Sequence, residues 1–155
     1  WHLLAVFNWD NKAQDVVIPL ERLQLNPEID YLYRSFWDGH SDSVQGGALN
    51  LMAIPPHGVR LLTLRSATPG KPQYLGSDLH ISQGLEVTQW SANTREGIRF
   101  SLERPGQTQG QIELYLPEPP QKATCNQNEI TWQTPANDLY TFDIRFERQA
   151  ELRIE

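Results

Sequence analysis

Polar and apolar side chains alternate along much of the second half of the chain. In Gly97-Ile98-Arg99-Phe100-Ser101-Leu102-Glu103 the apolar residues Ile98, Phe100 and Leu102 fall on one side, and Arg99, Ser101 and Glu103 on the other. Residues 111–116 repeat the pattern. Tyr140, Phe142, Ile144 and Phe146 alternate with Thr141, Asp143 and Arg145, and Leu152 and Ile154 close the series. A period of two predicts strands with one buried and one solvated face. Such strands belong to antiparallel sheets, which bury their apolar sides by packing face to face. In the first half, runs of β-branched, aromatic and aliphatic residues predict strands over 3–8, 15–20, 31–36, 48–53 and 59–65. Residues 21–25 predict a helical turn stopped by Asn26-Pro27. Asp38-Gly39 predicts a hairpin turn whose polar second arm leaves the register open.

Eleven prolines and ten glycines punctuate these runs and leave little room for long helices. Ser66-Ala67-Thr68-Pro69-Gly70-Lys71-Pro72 interrupts them with small residues and two prolines, and reads as a linker. The expected architecture is all-β: two small antiparallel β-sandwich-like units in tandem, over 1–66 and 73–155, joined by residues 67–72. No repeat of fixed period is evident.

Composition narrows the function. The 155 residues carry 13 basic and 19 acidic side chains, a formal charge of −6, which disfavours nucleic acid and anionic membranes as partners. No apolar run approaches the roughly 18 residues of a membrane span. The single Cys125 forms no intramolecular disulfide and no thiolate metal site alone. One cysteine leans toward a reducing compartment such as the cytoplasm, although an exported protein without disulfides is also compatible with it. The chain opens on the strand-like Trp1-His2-Leu3-Leu4-Ala5-Val6-Phe7 without an initiator Met, as an excised piece of a longer protein would.

Candidate chemistry is sparse. His2, His40, His57 and His80 lack metal-ligand spacing, so no metal or cofactor is expected. There is no nucleophile elbow, Cys125 lies in a polar segment without an adjacent base, and Gly46-Gly47 lacks the Lys-Ser/Thr of a phosphate-binding loop. Asp38 and Asp42 are the most tempting carboxylates, since paired acids hydrolyse glycosides. Aspartates beside a glycine more commonly stabilise turns, and that reading is preferred. Aromatic rings offer flat faces on which sugar C–H groups stack. Trp9, between Asn8 and Asp10, and Trp37 together with its neighbour Asp38 are the candidate carbohydrate-binding residues, although core packing is the commoner use of Trp.

Leu4-Ala5-Val6-Phe7-Asn8-Trp9-Asp10, Phe36-Trp37-Asp38-Gly39 and Pro55-Pro56-His57-Gly58-Val59-Arg60-Leu61-Leu62, in that order, resemble the C-terminal β-sandwich region of alpha-galactosidase (melibiase)-like glycoside hydrolases. The resemblance covers most of residues 2–65. Gly76-Ser77-Asp78-Leu79-His80-Ile81-Ser82-Gln83-Gly84 looks like the next segment of some larger relatives, and the likeness fades beyond about residue 90. It implies a preceding catalytic (β/α)₈ barrel, a fold of about 250 residues, in which a pair of aspartates cleaves a terminal α-galactosyl linkage with retention. Those barrel motifs have no counterpart here, so no catalytic residue carries over, Asp38 included. The chain is therefore expected to be a noncatalytic accessory region that packs against and stabilises the barrel of its parent enzyme. The alternative is a carbohydrate-binding module using its exposed aromatics.

Overall fold

The computed structural model describes residues 1–93, 97–136 and 138–155. The chain is all-β and antiparallel throughout. It divides into two compact units, Trp1–Ala67 and Thr68–Glu155, with the boundary inside the Pro/Gly-rich segment.

The first unit contains β1 (His2–Phe7), β2 (Gln14–Pro19), β3 (Tyr31–Ser35), β4 (Ser41–Val44), β5 (Ala48–Ile54) and β6 (Val59–Ser66). Four strands form a sheet in the order β1-β6-β3-β4, while β2 and β5 pair separately. Alternation determines which side chains meet. Leu4 lies opposite Leu62, and Leu64 opposite Tyr33; Val16 pairs with Leu51 and Ile18 with Leu49 on the smaller sheet. These residues form one core with Leu20, Tyr31, Val44 and Ile54. Their outward neighbours Val17, Asn50 and Met52 stay exposed. The turn expected over 21–25 is a single 3-10 turn, Leu20–Leu23, ended by Gln24 in the left-handed region at φ 58°. The Asp38-Gly39 hairpin joins β3 to β4 with Gly39 at φ +64°, and its register pairs Tyr31 with Val44 and Tyr33 with Asp42. Val44 supplies what a polar arm needs to fix that register: one apolar residue, 2% exposed, on the core side.

The second unit contains β7 (Gln73–Ser77), β8 (Val87–Asn93), β9 (Gly97–Tyr115), β10 (Ala123–Cys125), β11 (Asn128–Glu129), β12 (Trp132–Ala136) and β13 (Leu139–Ile154). Its backbone is the long β9–β13 ribbon, flanked by β7 and β8 along β9 and by β10 and β12 along β13. The sequence predicts separate strands on either side of Pro105-Gly106. Instead β9 runs through them, because Arg104, Pro105 and Gly106 together oppose the single residue Arg148 in a bulge. Pro105 is tolerated there because a bulge releases its position from the ladder. Phe100, Leu102, Ala150 and Leu152 on one side of this bulge join the same core as Ile112, Leu114, Phe142 and Ile144 on the other. Phe142 and Leu152 are both fully buried on one face of one sheet. A bulge bends its strand, and the two halves of the ribbon bury their apolar faces in one shared core, a sandwich-like arrangement.

Candidate functional site

Phe7 ends β1, and Trp9 comes two residues later at the rim of the sheet. Asn8 between them makes this segment rigid. Its side chain is 4% exposed, and its Nδ2 donates to the carbonyls of Lys12 (2.8 Å), Ile54 (2.9 Å) and Pro55 (3.0 Å) while Oδ1 accepts from the Asp10 N–H (2.9 Å). With its neighbour inward, the Trp9 ring is held outside. It stacks on Phe7 with centroids 5.5 Å apart and planes 8° from parallel, and is 78% exposed. Phe7 is 55% and Leu3, two pairs back on the same face of β1, is 48% exposed.

Trp37 lies just beyond β3 and leans edge-on against Phe36, with centroids 5.8 Å apart, and is 60% exposed. Asp38 turns back into the hairpin. Its Oδ1 accepts the His40 N–H at 3.2 Å, and its Oδ2 pairs with Arg60 Nη1 of β6 at 2.6 Å. Asp42 accepts the neighbouring Ser43 N–H at 2.7 Å. Asp38 thus bonds a backbone amide as a turn residue does, whereas Asp42, expected in the same turn, lies within β4 opposite Tyr33. Burial alone would raise the Asp38 pKa. The His40 N–H, the Arg60 charge and the nearby Ser35 hydroxyl, which makes no well-aligned hydrogen bond of its own, together hold it below the ordinary carboxylate value. A depressed folded-state pKa contributes stability above the unfolded value, near about pH 4, that is lost as pH falls through the folded value. The Asp38 side chain is 41% exposed, so solvent screens the pair. Asp38→Asn is expected to cost about 0–1 kcal/mol at neutral pH, a cost that shrinks toward zero as pH falls through the folded-state value. Urea midpoints of the two proteins followed from neutral into acidic pH check this.

The second unit carries a feature that the sequence did not single out: a polar groove of about 820 Å³ on the solvent side of the sheet. Gln89 and Ser91 of β8, Arg99 and Ser101 of β9, and Gln149 and Glu151 of β13 line it. Ser101 is only 9% exposed although it points away from the core, because longer side chains stand on either side of it. Asn126, just past β10, fixes one wall: its Oδ1 accepts the Glu151 N–H at 2.8 Å, its own N–H donates to the Glu151 carbonyl at 2.9 Å, and its Nδ2 reaches the Gln149 carbonyl at 3.3 Å. Glu151 Oε1 in turn accepts from Arg153 Nε and Nη2 at 3.0 and 2.8 Å. Alternation along β8, β9 and β13 is the signal for this face, but it is shared with any solvated sheet.

Cys125 lies in the core of the second unit, where burial pushes its thiol pKa up and keeps the thiolate scarce. His57 Nε2 sits 2.9 Å from Asn11 Oδ1, His80 Nδ1 sits 2.7 Å from Ser82 Oγ, and His40 packs edge-on to Tyr33. Among the described residues, no three His, Cys, Asp or Glu side chains gather in a metal-holding arrangement, and no helix is long and apolar enough to cross a membrane. No protein-family model and no curated protein matches the chain.

Proposed function

We propose that the chain is a noncatalytic C-terminal accessory region of an alpha-galactosidase-like glycoside hydrolase, and that its first unit packs against the catalytic barrel of the same polypeptide. The observation that carries this reading is the apolar surface on β1. Leu3, Phe7 and the Trp9 ring stacked on it are all about half exposed or more, on a strand at the edge of its sheet. Contiguous apolar surface rimmed by polar groups marks a contact with another body. Burying each such side chain is worth about 1.5–3 kcal/mol before ordering costs. The glycoside hydrolase context comes from the three ordered motifs of residues 4–62, which supply both the aromatic rim and the hairpin.

The full-length gene product provides the test. Replacing Phe7 and Trp9 together by Ser is expected to lower the melting temperature of its catalytic domain while leaving the melting of this chain, made alone, nearly unchanged, since neither residue belongs to the core. A gene product without a barrel-length catalytic domain, or one whose melting ignores the double substitution, overturns the proposal.

Trp37 favours a second reading, that of a carbohydrate-binding module. Its ring is 60% exposed, and the next residue in the chain, Asp38, carries a carboxylate paired with Arg60, so an apolar plane and hydrogen-bonding groups occur on one turn. On that reading, millimolar galactosides or α-glucans change the tryptophan fluorescence, and Trp37→Ala or Trp9→Ala abolishes the response in a folded protein. A titration that stays flat, or a response that survives both substitutions, removes it.

A further inference from the structure

We propose that the groove on the solvent face of the second unit binds a neutral oligosaccharide. Its position and chemistry are independent of the aromatic rim of the first unit.

The groove is built from strand register. Gln89 lies opposite Ser101, Ser101 opposite Glu151, and Asn126 is bonded to Glu151 in both directions. These side chains form a row across β8, β9 and β13 to Asn126 just past β10, spanning roughly 14 Å at about 4.8 Å per strand. The second row holds Ser91, Arg99 and Arg153 in register. In the first row the short Ser101 lies between the longer Gln89 and Glu151, which makes the surface concave there. Its volume of about 820 Å³ falls within the usual range for ligand sites, about 300–1,000 Å³.

The two sides of the groove differ in their state of satisfaction. Asn126, Gln149 and Glu151 are held in place by the hydrogen bonds given for that wall. Gln89, Ser91, Arg99 and Ser101 make no side-chain hydrogen bond or ion pair among the described residues. Arg99 also stands directly opposite Arg153, a like-charged placement that costs stability in a sheet. Arg153 is engaged by Glu151, and among the described residues no carboxylate pairs with the Arg99 guanidinium that lines the groove.

Amides and hydroxyls that both donate and accept, one planar guanidinium and one carboxylate complement vicinal hydroxyls, which themselves donate and accept. The alternatives fit less well. Glu151 and Glu103 on the same face, with a chain charge of −6, oppose a polyanion such as nucleic acid. An extended peptide that adds to a sheet needs a free strand edge, whereas this groove runs over the paired strands β9 and β13.

Calorimetric titration of the whole chain with maltohexaose, cellohexaose and galactotriose tests the proposal, with oligogalacturonate and inorganic phosphate as anionic probes. At least one neutral oligosaccharide is expected to bind saturably at millimolar affinity or better. Arg99→Ala and Ser91→Tyr, both at exposed positions, are each expected to weaken it about tenfold or more, with circular dichroism unchanged. Trp9→Ala and Trp37→Ala leave binding intact, which separates this site from an aromatic platform on the first unit. The proposal is overturned if no neutral oligosaccharide binds, if only the anionic probes bind, or if binding survives Arg99→Ala and Ser91→Tyr.

Discussion

Phe142→Ala is expected to lower the stability of the second unit by about 3–5 kcal/mol. The ring is fully buried in the middle of β13, opposite Ile112 of β9 on one side and Trp132 of β12 on the other, with the Trp132 ring centroid 6.2 Å away. Deleting it loses the transfer energy of the ring and leaves a cavity. That cavity cannot easily collapse, because backbone ladders on both sides hold β13 at a fixed distance from its neighbours. Domains of this size are stable by only about 5–15 kcal/mol, so the substitution removes a large share of the total. Urea unfolding followed by tryptophan fluorescence, with Trp132 beside the vacancy, should show a lower midpoint at an unchanged slope. A loss below about 1 kcal/mol would mean that the core repacks freely, contrary to the ladder argument.

The second large effect is expected at Asn8. Its amide donates to carbonyls from two separate segments, Lys12 and the Ile54-Pro55 pair, and its oxygen holds the Asp10 N–H. Asn8→Ala removes the donors and leaves buried carbonyls without partners, at about 1–3 kcal/mol for each one orphaned. Asn8→Asp is expected to be worse, since it turns a carboxylate oxygen toward those carbonyls at the same position. Thermal melting of the two variants ranks them, and the argument fails if Asp is tolerated as well as Ala. Trp9 and its stacking on Phe7 depend on this anchor, so the exposed aromatic surface should also lose definition.

The legible parts of the sequence were those where one face is buried. Ile98, Phe100 and Leu102, or Phe142, Ile144 and Phe146, can only alternate as they do if their strands separate core from water. The five strands expected in the first unit correspond to β1, β2, β3, β5 and β6. β4 was hidden because Ser41-Asp42-Ser43 carries no periodic apolar signal and owes its place to Val44 and to pairing with β3. The continuity of β9 was hidden by Pro105-Gly106, whose local preference for a turn is overridden by the neighbouring β13. For the candidate sites, Trp9 and Trp37, singled out beside polar neighbours, are both exposed, but the Asp38–Arg60 pair joins residues 22 apart and has no local signature. The groove was invisible for a similar reason. Its concavity comes from the register of three strands, and each outward Ser or Gln alone looks like an ordinary wet position.

The bend in the long ribbon also sets a rule for changes in chain length. Phe146 and Ala150 both face inward on either side of the exposed Arg148, so the even-numbered residues of β13 return to the core beyond the corner. Gaining or losing a single amino acid there would invert the far arm, turning Gln149, Glu151 and Arg153 inward and Ala150, Leu152 and Ile154 to the water. Changes of two would keep both surfaces as they are. Drift in the length of this corner is thus constrained to even steps.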